Sequence, residues 1–276
     1  MDFVKKEDFK IINKDAKNVL KIVSEGMYSN KNGDCFFLSE EFEYSVNNTS
    51  LYDTYDFEEM RWEKIYSTPP NVIVTNETTT NALQRLSSFG LEDLAALNFA
   101  SGKHPGGGFL RGSKAQEEDL CRSSNLYHCL IPFEEDFYQE DPANKDYVLY
   151  SPKVVFFKDE RYVNLDTPFQ ADIITCAAPN ISGQPKLKNT PQLQNVINNR
   201  VYGILASAAF NGRKNIVLGA WGSGVFGNDP MVVALAFKKW LDTPLFDRCF
   251  ENIVFAVYDK SISKENFNAF QKVFGE

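Results

Sequence analysis

The chain has 276 residues, 43% hydrophobic and 24% charged, which are ordinary proportions for a chain that buries a core and exclude wholesale disorder. With 16 glycines and 12 prolines it is neither collagen-like nor a low-complexity linker. A formal charge of −8 supplies no basic stripe for a nucleic-acid duplex, so a phosphate-bearing ligand has to be held by backbone amides and helix ends.

Residues 1–14 are charged and carry no apolar core of a signal peptide, and no apolar run later in the chain reaches membrane-spanning length. From Ala16 to Tyr28, Val19, Leu20, Ile22, Val23 and Met27 recur at helical spacing. Residues 40–66 are acidic and aromatic with weak periodicity, which reads as irregular chain with a short hairpin. Asn71-Val-Ile-Val-Thr75 is a buried-strand run, followed by a helix from Thr78 to Leu86. A second strand, Leu94-Ala-Ala-Leu-Asn98-Phe, empties into Ser101-Gly-Lys-His-Pro-Gly-Gly-Gly108.

Ala115 to Leu130 reads as one helix, and Val148–Tyr150 and Lys153–Phe157 as two strands around Pro152. Asp172–Cys176 is a short apolar strand ending at Ala178-Pro179-Asn180. Leu193 to Phe210 is a long helix stopped by Gly212. Asn215–Trp221 is a strand, and the loop Gly222-Ser-Gly-Val-Phe-Gly-Asn-Asp229 leads to Pro230, a first-turn proline with Asn228 or Asp229 as cap. Asn252–Tyr258 is the last strand and Ser263–Phe274 the last helix.

Apolar strands alternating with helices predict an α/β fold with a mainly parallel sheet covered on both faces. In such sheets ligands sit at the carboxyl ends of the strands, where both glycine-rich loops fall. The domain expectation is an extension over residues 1–66 packed on a ligand-binding domain over 67–276.

Cys35, Cys121, Cys129, Cys176 and Cys249 are odd in number and never spaced C-x-x-C, and His104 and His128 are the only histidines. Neither a zinc set nor a disulfide framework can be assembled by spacing, so no metal and no cofactor is expected. Scattered thiols suit a reducing compartment, most simply the cytoplasm; a protein delivered into a host cell by a dedicated secretion machine would look the same.

Three consecutive glycines let the backbone adopt positive φ and approach a ligand closely. After a gap of seven residues, Gln116-Glu117-Glu118 opens a helix. Adjacent glutamates on a helix are ordinarily solvated, and Glu118 stands at i, i+4 from Arg122, which alone would explain it. The competing reading folds the glycine loop back, so that one glutamate binds hydroxyls and the other acts as general acid. The second loop lacks the G-K-[ST] of a P-loop. Gly222, Gly224 and Gly227 spell G-x-G-x-x-G, but Asp259 follows the next strand 32 residues after Gly227, which disfavours a dinucleotide site. Phe226 at the loop tip is either a core residue or a ring stacked on ligand.

Gly106-Gly-Gly-x7-Gln116-Glu-Glu118 resembles the signature of poly(ADP-ribose) glycohydrolases. So do Val74-Thr-Asn-Glu-Thr-Thr79, Leu97-Asn-Phe-Ala-Ser101, Arg122-Ser-Ser, Tyr150-Ser-Pro152, Ala178-Pro-Asn180 and the Gly219–Pro230 loop, which are similar to the compact microbial branch from about residue 14 to residue 259. The resemblance implies a macrodomain-like three-layer α/β/α fold with a mixed sheet. It implies Glu118 as catalytic acid/base and Glu117 as its ribose-binding neighbour. Asn98, Gly106, Gly107 and Gly108 would contact the distal ribose, Gly222, Ser223, Gly224, Val225 and Phe226 the diphosphate, and Glu77 the adenine side, with Gln116 a further substrate-binding residue. Ser223 departs from the cysteine usual in the microbial branch.

The implied activity is hydrolysis of ribose–ribose O-glycosidic bonds of poly(ADP-ribose), with ADP-ribose as product and a monomer as the working unit. Two other readings stand beside it: a hydrolase of another ADP-ribosyl bond, such as that of ADP-ribosylated protein, and a non-catalytic ADP-ribose-binding module. An intact pair of glutamates argues against the last, since a reader needs no acid.

Overall fold

The computed structural model describes residues 12–138, 146–188 and 190–275; the charged start over residues 1–11 lies outside them. Its elements in chain order are α1 (Lys14–Glu25), β1 (Met27–Ser29), β2 (Cys35–Phe37), α2 (Ser39–Asn47), β3 (Ser50–Tyr52), α3 (Thr54–Glu59), β4 (Asn71–Thr75), α4 (Thr79–Ser88), β5 (Leu94–Ala100), α5 (Gln116–Ser123), α6 (Leu126–Leu130), β6 (Val148–Lys158), β7 (Asn164–Ala177), α7 (Pro191–Phe210), β8 (Asn215–Leu218), α8 (Pro230–Leu241), β9 (Asn252–Ala256) and α9 (Glu265–Phe274).

Seven strands form one mixed sheet in the order β3-β6-β7-β5-β8-β9-β4, and β1 and β2 make a separate antiparallel pair. From β7 to β4 every pairing is parallel, whereas β3-β6 and β6-β7 are antiparallel. Along β5 the buried side chains alternate between the two faces: Leu94 and Ala96 join one apolar cluster, and Ala95 and Leu97 the other. α1, α2, α4, α5 and α6 supply the first cluster; α7, α8 and α9 supply the second. This is the three-layer arrangement that apolar parallel strands require.

Several boundaries follow local chemistry. Thr78 Oγ1 accepts from Asn81 N to start α4, Asp229 Oδ1 accepts from Met231 N ahead of Pro230, and Gly212 adopts φ +66 after α7. Other expectations are corrected. Residues 40–66 are not a hairpin but two short helices around the edge strand β3, the second held by a reciprocal Asp53/Asp56 capping box. The helix expected from residue 16 to 28 ends at Glu25, because Gly26 turns left-handed and β1 follows.

The single helix expected over 115–130 breaks at Ser124. There the backbone becomes extended and bridges Phe156, while Asn125 Oδ1 accepts from Val155 N. The two strands around Pro152 are one strand, β6, with an irregularity between Ser151 and Val154 that accommodates the proline. β7 starts eight residues before Asp172, at Asn164, on a half-exposed stretch paired antiparallel to β6.

Candidate active site

The carboxyl ends of the parallel strands surround a cleft of about 360 Å³. Each strand hands over a segment of wall. Glu77 and Thr78 follow β4, Phe99 and Ala100 end β5, Ala178 follows β7, Ala220 to Gly222 and Gly224 to Phe226 follow β8, and Ala256 to Tyr258 belong to the end of β9. The first turn of α5 closes one end with Ala115, Gln116 and Asp119.

Of the predicted residues, Glu77, Gln116, Gly222, Gly224, Val225 and Phe226 line this cleft directly. Ser223 does not; its hydroxyl is buried in the loop and has no hydrogen-bond partner. Asn98, Glu117, Glu118 and the three glycines form a second, tighter cluster behind the Ala115 wall. There Asn98 is wholly inaccessible, and Glu117 and Glu118 are 4% and 7% exposed. The solvated-face explanation of the glutamates therefore fails, and so does a Glu118–Arg122 ion pair, since Arg122 turns to Ser113 O and Asp119.

Glu118 is pinned by backbone. Its Oε1 accepts from Gly108 N at 2.7 Å and its Oε2 from Ala115 N at 2.9 Å. The second contact is half of a capping box: Ala115 at the N-cap has no side chain to offer, so the N3 glutamate supplies the only reach-back contact. The first is possible because the glycine loop doubles back over the helix start. Gly107 has φ +58, and a Cβ there would stand 2.5 Å from Glu118 Oε1.

Glu117 Oε2 accepts from Ser101 N at 2.7 Å and its Oε1 from Asn98 Nδ2 at 3.3 Å. Burial nonetheless dominates and pushes this carboxyl up from its ordinary 4.5 to about 8, with the Ser101 and Asn98 donors pulling the other way and Glu118 adding a repulsive contribution. A carboxyl that binds its proton more readily in the folded state stabilises fully below about pH 4.5. That contribution is lost as pH rises through about 8. Glu117→Gln stays neutral throughout, so the melting temperature of the variant relative to the parent is expected to climb across this window. Parallel melting profiles from acid to pH 9 would show that Glu117 does not titrate there.

Gln116 serves as a brace. Its Nε2 donates to Thr79 Oγ1 and Leu97 O, and its Oε1 accepts from Phe99 N, which ties α4, β5 and α5 together. Glu77 is engaged by Arg85. On the opposite wall Asn228 Nδ2 donates to Pro179 O and Gly222 O, and Trp221 Nε1 to Cys176 O, so the loop after β8 is anchored at both ends while its tip stays open. Phe226 is half-buried, and its ring both packs on the apolar cluster beneath and lines the cleft.

Sequence reasoning missed Lys114, Asp119, Tyr258 and Asn266 as cleft residues. Asp119 sits beside Glu118 in the first turn, the one signal that pointed to it. Lys114 directly precedes the α5 N-cap, and Tyr258 and Asn266 are brought in by packing of separate elements. No group of three or more His, Cys, Asp or Glu side chains converges on a metal-sized site among the described residues. No helix among them is long and apolar enough to cross a membrane.

Residues 16–159 match the family model of the microbial-type PARG catalytic domain. The fold is similar to the poly(ADP-ribose) glycohydrolase of Thermomonospora curvata, with TM-score 0.88 and 35% identity over 98% of this chain and 100% of that one. The same enzyme bound to the inhibitor ADP-HPD matches with TM-score 0.86, 35% identity and the same coverage. The poly(ADP-ribose) glycohydrolase of Deinococcus radiodurans in complex with ADP-ribose matches with TM-score 0.77 and 37% identity over 84% of this chain and 96% of that one. No curated protein sequence matches. With the family model spanning just over half of the chain and the structural likeness nearly all of it, the chain belongs to the microbial-type poly(ADP-ribose) glycohydrolase family.

Proposed function

We propose that this protein hydrolyses the ribose–ribose O-glycosidic bonds of poly(ADP-ribose), with Glu118 as the single acid/base. The observation that carries the assignment is the pairing of two buried carboxyl groups at the end of a strand-end cleft. One of them, Glu118, is oriented by Gly108 N and Ala115 N. Protonated Glu118 donates to the departing 2′-oxygen as the bond from the anomeric carbon breaks, and positive charge builds on the sugar ring. The resulting carboxylate then takes a proton from water as that water attacks the anomeric carbon. This regenerates the acid and releases ADP-ribose.

Supporting groups follow from position. Asn98 Oδ1 is buried without a partner, which suits a hydroxyl of the distal ribose beside Glu117. The amides of the Gly222–Phe226 loop and the start of α8 suit a diphosphate, with Glu77 and Tyr258 towards the base. Incubation with poly(ADP-ribose) and, separately, with mono-ADP-ribosylated protein tests the reading. Release of ADP-ribose from the polymer is expected, and release from the modified protein alone would move the activity to another ADP-ribosyl bond.

Phe226 has a foot in both roles considered for it. Phe226→Ala is expected to weaken ADP-ribose binding about 5- to 30-fold by removing stacked apolar area. Because the ring also packs on the core, a stability loss of about 1–2 kcal/mol is expected, below the ~3–5 kcal/mol of a fully buried phenylalanine. Calorimetric titration and a thermal melt read the two quantities. Unaltered affinity would remove Phe226 from the binding surface.

A further inference from the structure

Arg122 is 1% exposed, a full positive charge inside the protein, and its partners are too few for that. Nη2 donates to Ser113 O, while Nε and Nη1 have no hydrogen-bond partner. Nη1 lies 3.7 Å from Asp119 Oδ1, beyond hydrogen-bond reach, and Asp119 is itself taken by the Tyr162 hydroxyl. The guanidinium is stacked between rings, 5.9 Å from the centroid of Phe109 and 5.5 Å from that of Tyr162. A buried ion pair replaced by well-packed apolar atoms is often neutral or stabilising. Stability alone therefore does not account for an arginine here.

What the guanidinium touches is the connector between the glycine loop and α5. Ser113 N donates to Gly108 O, Gly112 N to Phe109 O, and Arg111 N to Gly108 O, so residues 108–113 form one tight turn. Arg122 holds that turn by a carbonyl, Ser113 O, and by a ring, Phe109. The two amides that orient Glu118 lie at its two ends, on Gly108 and Ala115. From these contacts we infer that Arg122 is a positioning residue for the hydrolysis: it clamps the connector so that both amides converge on the Glu118 carboxylate. The inference rests on Glu118 being the acid/base. Two N–H donors on one carboxylate fix its plane, and a displacement of either by about 1 Å is the kind of error that costs roughly 100-fold in rate.

The test uses Arg122→Met and Arg122→Lys in the full chain, with the parent and Glu118→Gln assayed alongside on poly(ADP-ribose). Arg122→Met is expected to bind ADP-ribose within threefold, while kcat per folded molecule falls about 100-fold because the amides are no longer clamped. Arg122→Lys keeps a cation beside Ser113 O but loses the planar guanidinium against Phe109 and Tyr162, and is expected to recover only part of that loss. An Arg122→Met enzyme whose kcat per folded molecule stays within threefold of the parent overturns the inference, whatever its melting temperature. Should Arg122→Met not fold, Arg122→Lys decides by the same split: kcat lowered with ADP-ribose affinity kept supports the clamp, and kcat unchanged overturns it. An inactive parent, or an active Glu118→Gln, sinks the acid/base reading itself and is distinguishable from either result.

Discussion

Glu118→Gln is expected to abolish glycosidic hydrolysis, by about three orders of magnitude or more, while ADP-ribose affinity changes only a few-fold. The amide keeps the volume of the carboxyl and loses the proton that the leaving oxygen needs. The structure adds a second expectation. Both carboxylate oxygens accept backbone N–H groups, from Gly108 and Ala115, and glutamine can satisfy only one of them. Its NH2 would face a donor across less than ordinary contact, so the variant is also expected to lose about 1–2 kcal/mol of stability. Single-turnover release of ADP-ribose from the polymer, with a thermal melt of the same sample, reads both. Turnover near that of the parent would remove Glu118 from the acid/base role.

The next largest effect is expected from a single methyl group. In Gly107→Ala the new Cβ would lie 2.5 Å from Glu118 Oε1 and 3.1 Å from Glu117 Oε2, on a residue whose φ is +58. Neither carboxylate has free space to move into, since each is held by backbone N–H groups and buried. Activity is expected to fall by about 100-fold or more through misplacement of the reacting group. The left-handed backbone adds only about 1–2 kcal/mol to the stability cost. A folded Gly107→Ala enzyme with kcat close to the parent would show that the glycine loop does not hold the two carboxylates where the structure has them.

The elements that were legible in the chain depend on near neighbours or on strong periodicity. Asn252–Ala256 is legible as a strand because a strand buried on both faces has to be apolar throughout, and Asn71–Thr75, a half-buried edge strand, because of its β-branched Val-Ile-Val-Thr run. Thr78, Asp229, Pro230 and Gly212 mark helix ends because caps act within a few residues. The spacing from Gly106 to Glu118 is likewise local, and with it came the family and its chemistry. Elements of three to six residues such as β3 and α3 were not legible, since their pairing and packing partners lie far along the chain: Ser50 opposite Tyr150, and Phe57 against Gly203.

The first half of β7 escaped for the same reason. Its outward residues are polar, and only the antiparallel partner β6 makes it a strand. At the site, tertiary structure alone decided between a solvated pair of glutamates and a buried one. Burial of Glu117 and Glu118 depends on donors at Ser101 and Gly108, 16 and 10 residues away, and on the turn that Arg122 holds from beneath. Periodicity registers which face of a helix is apolar. It carries no record of backbone N–H groups arriving from another part of the chain, and those N–H groups are what orient two adjacent carboxyl groups inside the protein.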